Sequence, residues 1–270
     1  MTEIPLDYAA VGVCIAAIAA YSLLHWFLGR RGRALELLEM ALNVLVYVVV
    51  IYALFAVAAR VCAMAGLAGL PDSRQVAEAG EVFSRVHELA VQWITRLVQL
   101  RLILSVAPFT YPVAQALYSA TGWQRIVFEA VAVAYLAMAV YAKVLAQLMP
   151  LLLPLGSTLT CIPRVRRLGA TLLAAYLSAI PVALAAALTE STLKGSSTVQ
   201  PINATAVGEA ASKLGPSWNP LSVADEAAKA AWRLAEALVR SLITMALGSS
   251  LAGAVALALG GVYVHLRTPF

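Results

Sequence analysis

Residues 37–59 read "LLEMALNVLVYVVVIYALFAVAA", and their only polar side chains apart from a tyrosine hydroxyl pair are Glu39 and Asn43. A helix needs about 20 consecutive apolar residues to cross the hydrocarbon core of a bilayer. This run is long enough, and it lacks the strict alternation of a transmembrane barrel strand. It is flanked by "RRGR" at 30–33 and by Arg60, so charge returns as soon as the apolar stretch ends. The pattern predicts a membrane-spanning helix.

Four more runs of the same kind follow from the sequence: Tyr8–Leu28, Ile126–Met149, Leu168–Leu188 and about Leu242–Leu266. Over all 270 residues, 62% are hydrophobic and only 12% charged, with mean hydropathy +0.85. A soluble domain is about half apolar and a quarter charged, so this chain has too much apolar surface for one water-bounded core. The fold class expected is an all-α polytopic integral membrane protein with about five transmembrane helices in a single transmembrane domain over 1–270. The first run is too long for a signal-peptide core, and Glu3 and Asp7 make its leader acidic. It reads as a retained helix.

Between the second and third spans the periodicity changes. From Val76 to Leu100, Val76, Ala79, Phe83, Val86, Ala90, Trp93 and Leu97 recur at helical spacing, while Glu78, Glu81, Arg85, Glu88 and Arg96 take the other face. This predicts an amphipathic helix over 76–100, lying in the membrane interface or against a partner. The following stretch, 102–120, is long enough to cross but carries Pro108 and Pro112. Each removes a backbone donor and clashes with the preceding turn. A Pro-broken segment is expected there, either re-entrant or a sixth span.

Charge decides between those two. With 102–120 not crossing, the cytoplasmic positive charges are Arg30, Arg31, Arg33, Arg164, Arg166, Arg167 and Arg267, against Glu36 and Glu39. The external segments are then balanced in sign, as the positive-inside rule requires of an outer face. A sixth crossing would put the arginine triplet outside and erase the asymmetry. Five crossings follow, in the cell membrane, with the amino terminus outside and the carboxyl terminus cytoplasmic. An external loop over 189–222 contains the glycosylation triplet Asn203-Ala204-Thr205, and a capping box at Ser222 and Asp225 is expected to open the last helix.

Few residues carry recognisable chemistry. Cys14, Cys62 and Cys161 have no metal-ligand spacing, and no phosphate loop, nucleophile triad or carboxylate pair is visible. Neither an enzyme nor a metal or cofactor protein is expected. Glu129 and Lys143 lie within a span, and intramembrane charge is a functional signal unless it pairs or snorkels to the interface. Ser249, Gly253, Ala256 and Gly260 form a small-residue stripe expected to be a helix-packing face. Pro163, Arg164, Arg166, Arg167 and Gly169 remain. Two readings of the arginines stay open: a topological anchor, or contact with the phosphates of DNA or lipid.

With its flanks that last cluster reads "PLGSTLTCIPRVRRLGATLLAA", residues 154–175. It resembles a pattern in the polytopic, TrbL-like membrane proteins of type IV secretion and conjugation systems. There a glycine, a leucine and then Pro-x-x-Arg-x-x-Gly lead into an apolar helix, and Gly156, Leu159, Pro163, Arg166 and Gly169 stand at those places. Where the family often has an arginine after the leucine, this chain has Thr160. In size and Ala/Val/Arg-rich composition it is most similar to the membrane component of the crenarchaeal DNA-exchange (Ced) import systems. The resemblance implies an inner-membrane platform or conduit for DNA transfer in an archaeal plasma membrane. The partners it implies are small pilin-like membrane subunits, a cytoplasmic hexameric ATPase and DNA itself, in an oligomeric or hetero-complex. The competing classes are a permease-like subunit for a small solute and a non-transporting membrane scaffold.

Overall fold

A computed structural model describes residues 8–64, 69–106, 111–160, 165–193 and 220–261. The described chain is all-helical, with no strand among those residues. In chain order the helices are α1 (Tyr8–Phe27), α2 (Arg31–Met64), α3 (Ser73–Val106), α4 (Tyr111–Thr160), α5 (Arg166–Leu177), α6 (Ala179–Leu193) and α7 (Pro220–Gly261). Four helical stretches are long and apolar enough to cross a membrane: Arg31–Met64, Ala114–Thr160, Arg166–Leu193 and Ala224–Leu257. The shorter α1 is mostly apolar and carries no acidic residue.

The spans expected at 37–59 and 126–149 each lie inside one longer helix, 8–28 matches α1 to within a residue, and 242–266 runs into the end of α7 and beyond the described residues. The 50 residues of α4 enclose the span expected at 126–149, and α7 begins far upstream of Leu242. At ~1.5 Å per residue α7 alone is about 63 Å long, roughly twice the hydrocarbon thickness. The capping box expected at Ser222 is displaced, because α7 starts at Pro220. Proline suits the first helical turn, where its missing N–H would have had no partner and its fixed φ is already helical. The segment 102–120 is also redrawn. Its first residues finish α3 at Val106 and its last ones open α4 at Tyr111, while Pro108 lies outside the described residues. Pro112 therefore starts a helix instead of breaking one. The loop expected at 189–222 is likewise helical at both ends, with α6 reaching Leu193; Asn203 lies outside the described residues.

The span expected at 168–188 is divided at Ser178 into α5 and α6. Pro181 is the cause. It cannot donate to the carbonyl of Leu177 four residues back, and its ring crowds that carbonyl. The Ser178 N–H instead contacts the carbonyls of both Ala174 (3.1 Å) and Ala175 (3.2 Å), and its hydroxyl donates to Ala175 at 2.6 Å.

The chain forms two compact units. The first comprises residues 1–76, 144–184 and 245–270. Within it α1 and α2 form a hairpin, in which Val44 packs on Ile15 and Ile18 and the Ser22 hydroxyl donates to the carbonyl of Ala34 at 2.7 Å. Phe55 of α2 meets Tyr176 of α5 with ring centroids 5.7 Å apart. Helices α6 and α7 also approach closely here: a Cβ on Gly248 would lie 2.3 Å from the Cβ of Pro181.

The second unit comprises residues 77–143 and 185–244. Here α3 runs antiparallel to the first part of α4, and the amphipathic face expected over 76–100 is buried inside the protein itself. Phe83 packs on Tyr135, Trp93 stacks on Phe128 at 5.8 Å, and the His87 ring Nδ1 donates to the carbonyl of Ala132 at 2.8 Å. That overturns the expectation of an interfacial or partner-binding helix for this face. The periodicity was right, but a single sequence does not say which apolar surface answers it, and here α4 does. The opposite face, with Glu78, Glu81, Arg85 and Glu88, is exposed.

The packing of α7 on Pro181 gives a direct comparison. Gly248→Ala and Gly253→Ala gain the same helix propensity, roughly up to 1 kcal/mol. A Cβ at 253 meets nothing within 4 Å, whereas one at 248 collides with the Pro181 ring. We expect Gly253→Ala to unfold in detergent at the unmodified temperature or above it. Gly248→Ala should unfold earlier, by an amount consistent with overpacking of ~1–3 kcal/mol.

Candidate functional site

The family-like cluster lies in the first unit, where α4 ends and α5 begins. Cys161, Ile162, Pro163 and Arg164 fall outside the described residues, so Pro163 and Arg164 are not placed. The other three members of the cluster are. Gly169 and Gly156 face each other across an antiparallel helix hairpin. A Cβ on Gly169 would sit 2.6 Å from the backbone N of Thr160 and 2.8 Å from the carbonyl O of Gly156. On Gly156 it would be 3.0 Å from Leu173 Cγ. Only glycine at 169 allows the last turn of α4 and the first turn of α5 to lie backbone against backbone.

Arg166 is the first residue of α5 and is buried, with 4% of its surface exposed. Its Nε lies 3.4 Å from the carbonyl oxygen of Thr160, the last residue of α4. A cation at a helix N-terminus opposes the macrodipole, and a cation at a C-terminus complements it. The Arg166 side chain resolves this by reaching back from the start of one helix to the carbonyl end of the other. The Thr160 hydroxyl is satisfied nearby by Ser157 O at 2.6 Å. Arg167, one residue on, points away and is exposed. The structure therefore separates two neighbouring arginines: Arg166, at the motif position, belongs to the hairpin, and Arg167 is exposed to meet a headgroup, a phosphate or water.

The remaining sequence candidates are scattered. Of the small-residue stripe, Ser249 and Gly253 are exposed and Ala256 is half-buried; the side of Gly260 is not described. Among the described residues that stripe is not a packing face. The face that does pack is rotated by about one residue, through Ser241, Gly248 and Ala252, because the proline ring at 181 selects the position with the deepest gap. Glu129 accepts from Arg125 Nε at 2.8 Å one turn away, so it is a paired charge. Lys143 lays its stem over Gly80, with Cγ 3.2 Å from where a Cβ would be, and keeps its head exposed. Glu39 and Asn43 are half-buried in α2. Among the described residues no group of three His, Cys, Asp or Glu side chains is placed to hold a metal ion.

One polar cluster was not anticipated. In the second unit the hydroxyls of Tyr135 (α4), Thr189 (α6) and Ser241 (α7) are all fully buried and mutually close: Thr189–Ser241 2.8 Å, Tyr135–Thr189 3.2 Å and Tyr135–Ser241 3.3 Å. Thr189 and Ser241 also reach carbonyls on their own helices, Ala185 and Ala237, each at 2.7 Å. Three hydroxyl protons serve this arrangement in full if Tyr135 donates to one neighbour and the other two donate to those carbonyls. The cluster is a satisfied interhelical staple. Its sequence signal is weak: three hydroxyl residues far apart in the chain, with no shared spacing.

No family model, no curated protein and no solved structure matches this chain.

If Arg166 holds the hairpin, its loss must show in stability. Arg166→Ala removes a charged donor from a buried carbonyl, at a cost of ~1–3 kcal/mol. Arg167→Ala should be within about 0.5 kcal/mol of the unmodified protein, as surface substitutions usually are. Gly169→Val should fail to assemble the hairpin at all. Thermal unfolding of the purified variants in detergent checks all three, and equal stability of the two alanine variants would contradict the placement of Arg166.

Proposed function

We propose that this chain is the membrane platform of a conjugation-like DNA transfer machine, embedded in a plasma membrane as a multi-pass protein with five crossings. The observation that carries the reading is the α4–α5 hairpin. Gly156, Arg166 and Gly169, three of the five residues that resemble the TrbL-like pattern, meet at one helix crossing. A match of spacing is cheap, and a match whose members form one structural unit is less so. The long apolar helices support membrane residence.

In this reading the amino terminus is outside, and the α4–α5 turn and the carboxyl terminus are cytoplasmic. Arg167 and Arg164 then supply positive charge at the inner face, where a polyanion leaving the membrane needs counter-charge. Arg166 holds the hairpin that presents them. A hexameric ATPase on the cytoplasmic side and small pilin-like subunits in the membrane are the partners this role requires. The described spans carry few charges of their own, so the DNA path is shared with those partners or built from several copies. An archaeal membrane is the setting the resemblance points to.

The genetic test is deletion in the native host. DNA transfer between mixed cells should be lost and restored by the intact gene, with growth on single solutes unchanged; persistent transfer would exclude the platform role. Topology is tested separately with Cys14 and Cys62 replaced by serine, leaving Cys161 as the sole thiol. A membrane-impermeant maleimide should label it in inverted vesicles and not in intact cells. In that background Arg167→Ala should lower DNA transfer without altering labelling, because Arg164 and Arg166 keep the positive count.

A further inference from the structure

In the second unit, where α3 ends and α4 begins, a cavity of about 520 Å³ lies between the two helices. Its floor is apolar and includes the buried side chains of Leu97, Ala114 and Leu117. Its rim is basic and aromatic. The Arg101 guanidinium lies over the Tyr118 ring, 4.1 Å from the centroid, which holds a cation against the wall of the cavity. Arg125 also lines the cavity, with its Nε engaged by Glu129 at 2.8 Å. Two guanidinium groups against one carboxylate leave an excess positive charge at the mouth. Just beyond, on the same unit, the exposed rings of Trp123 and Trp232 lie 6.0 Å apart.

Each of these features narrows the occupant. Paired guanidinium groups fit the oxygens of a phosphate better than any uncharged ligand. A free phosphate would leave most of the volume and the whole apolar floor wet, whereas ligand cavities of this size are filled by molecules with substantial apolar surface. Exposed tryptophan beside tyrosine and arginine is the composition of the bilayer headgroup layer. We propose that this cavity binds the phosphate headgroup of an acidic membrane lipid, with Arg101 and Arg125 on the phosphate and the start of the hydrocarbon chain on the leucine and alanine floor. The site requires membrane residence but no part in DNA transfer.

The test is native mass spectrometry of the full-length protein in detergent, titrated with dioleoyl phosphatidylglycerol, dioleoyl phosphatidylcholine and inorganic phosphate in parallel. Phosphatidylglycerol should be retained about tenfold more strongly than phosphatidylcholine, about 1.4 kcal/mol. The double variant Arg101→Gln/Arg125→Gln should abolish that preference. Gly122→Leu is the second arm. Gly122 lines the cavity, and a Cβ there meets nothing within 4 Å, so the leucine fills the space without strain and leaves both arginines in place. It too should lower phosphatidylglycerol retention about tenfold, and it decides the matter should the double variant misfold. Equal retention of the two lipids, or unchanged retention in Gly122→Leu, overturns the proposal. So does displacement of phosphatidylglycerol by inorganic phosphate at low millimolar concentration, which would make this a site for the free anion.

Discussion

Inside a bilayer a backbone N–H or C=O has no water to turn to, so every such group must find a partner within the protein. The described chain is all-helical, with four stretches long and apolar enough to meet that constraint, and the run at 168–188 divides where the backbone ladder loses a donor. Pro150 and Pro154 sit inside α4, and the helix continues through both. Just beyond them, the hydroxyls of Ser157 (3.0 Å) and Thr158 (2.9 Å) donate back to the carbonyl of Pro154 on their own helix. At Pro181 the outcome differs. The ladder gives way at Ser178, whose N–H is shared between two carbonyls, and the helix divides. The same proline ring then fits against Gly248, so a local backbone defect becomes the contact that seats α7 in the first unit.

The arginine cluster follows from the same need. The end of α4 and the start of α5 are both unsatisfied termini, and both are brought into one hairpin by the Gly156–Gly169 approach. A buried guanidinium is costly unless it is bonded. Arg166 meets that condition by aiming at the carbonyl of Thr160, which is itself a terminal acceptor in need of a donor. Anchor or site was therefore too narrow a choice for these residues. One of them holds the hairpin together, and its neighbour Arg167 is left exposed for whatever lies at the surface.

In the second unit the polar groups are few and placed at crossings. Tyr135, Thr189 and Ser241 join three helices through hydroxyls that also satisfy one another, and His87 ties α3 to α4 through the carbonyl of Ala132. In a low-dielectric interior such bonds contribute modestly to stability, about 0.6 kcal/mol each on average in membrane bundles. Their larger effect is on register. An aliphatic face slides by a turn at little cost, whereas a buried hydroxyl displaced by a turn loses its partners. The charged side of α7 needs no such fixing: Asp225–Lys229 and Glu236–Arg240 pair along the helix itself and stay exposed.

Helical class was legible in the sequence, and so were the runs at 37–59 and 126–149, each of which lies inside one long helix, because the length and polarity of a run are local properties. The helical phase of 76–100 was legible for the same reason. What covers that face was not: a 3.6-residue period states that an apolar surface exists, and lipid, a partner and α4 satisfy it equally well. The break expected at Pro112 was misjudged because proline was taken there only as a breaker, whereas it sits in the first turn of α4; among the described residues Pro181 is the proline beside which a helix divides. The small-residue stripe at 249, 253 and 256 was chosen by spacing, but Gly248 is the residue that packs, since Pro181 lies against that position and not the next. Arg166 and Arg167 are chemically identical neighbours, and about 100° of helical rotation is all that distinguishes them. That rotation has meaning only once the carbonyl end of α4 lies beside it. Tertiary structure alone decided which of the two is buried.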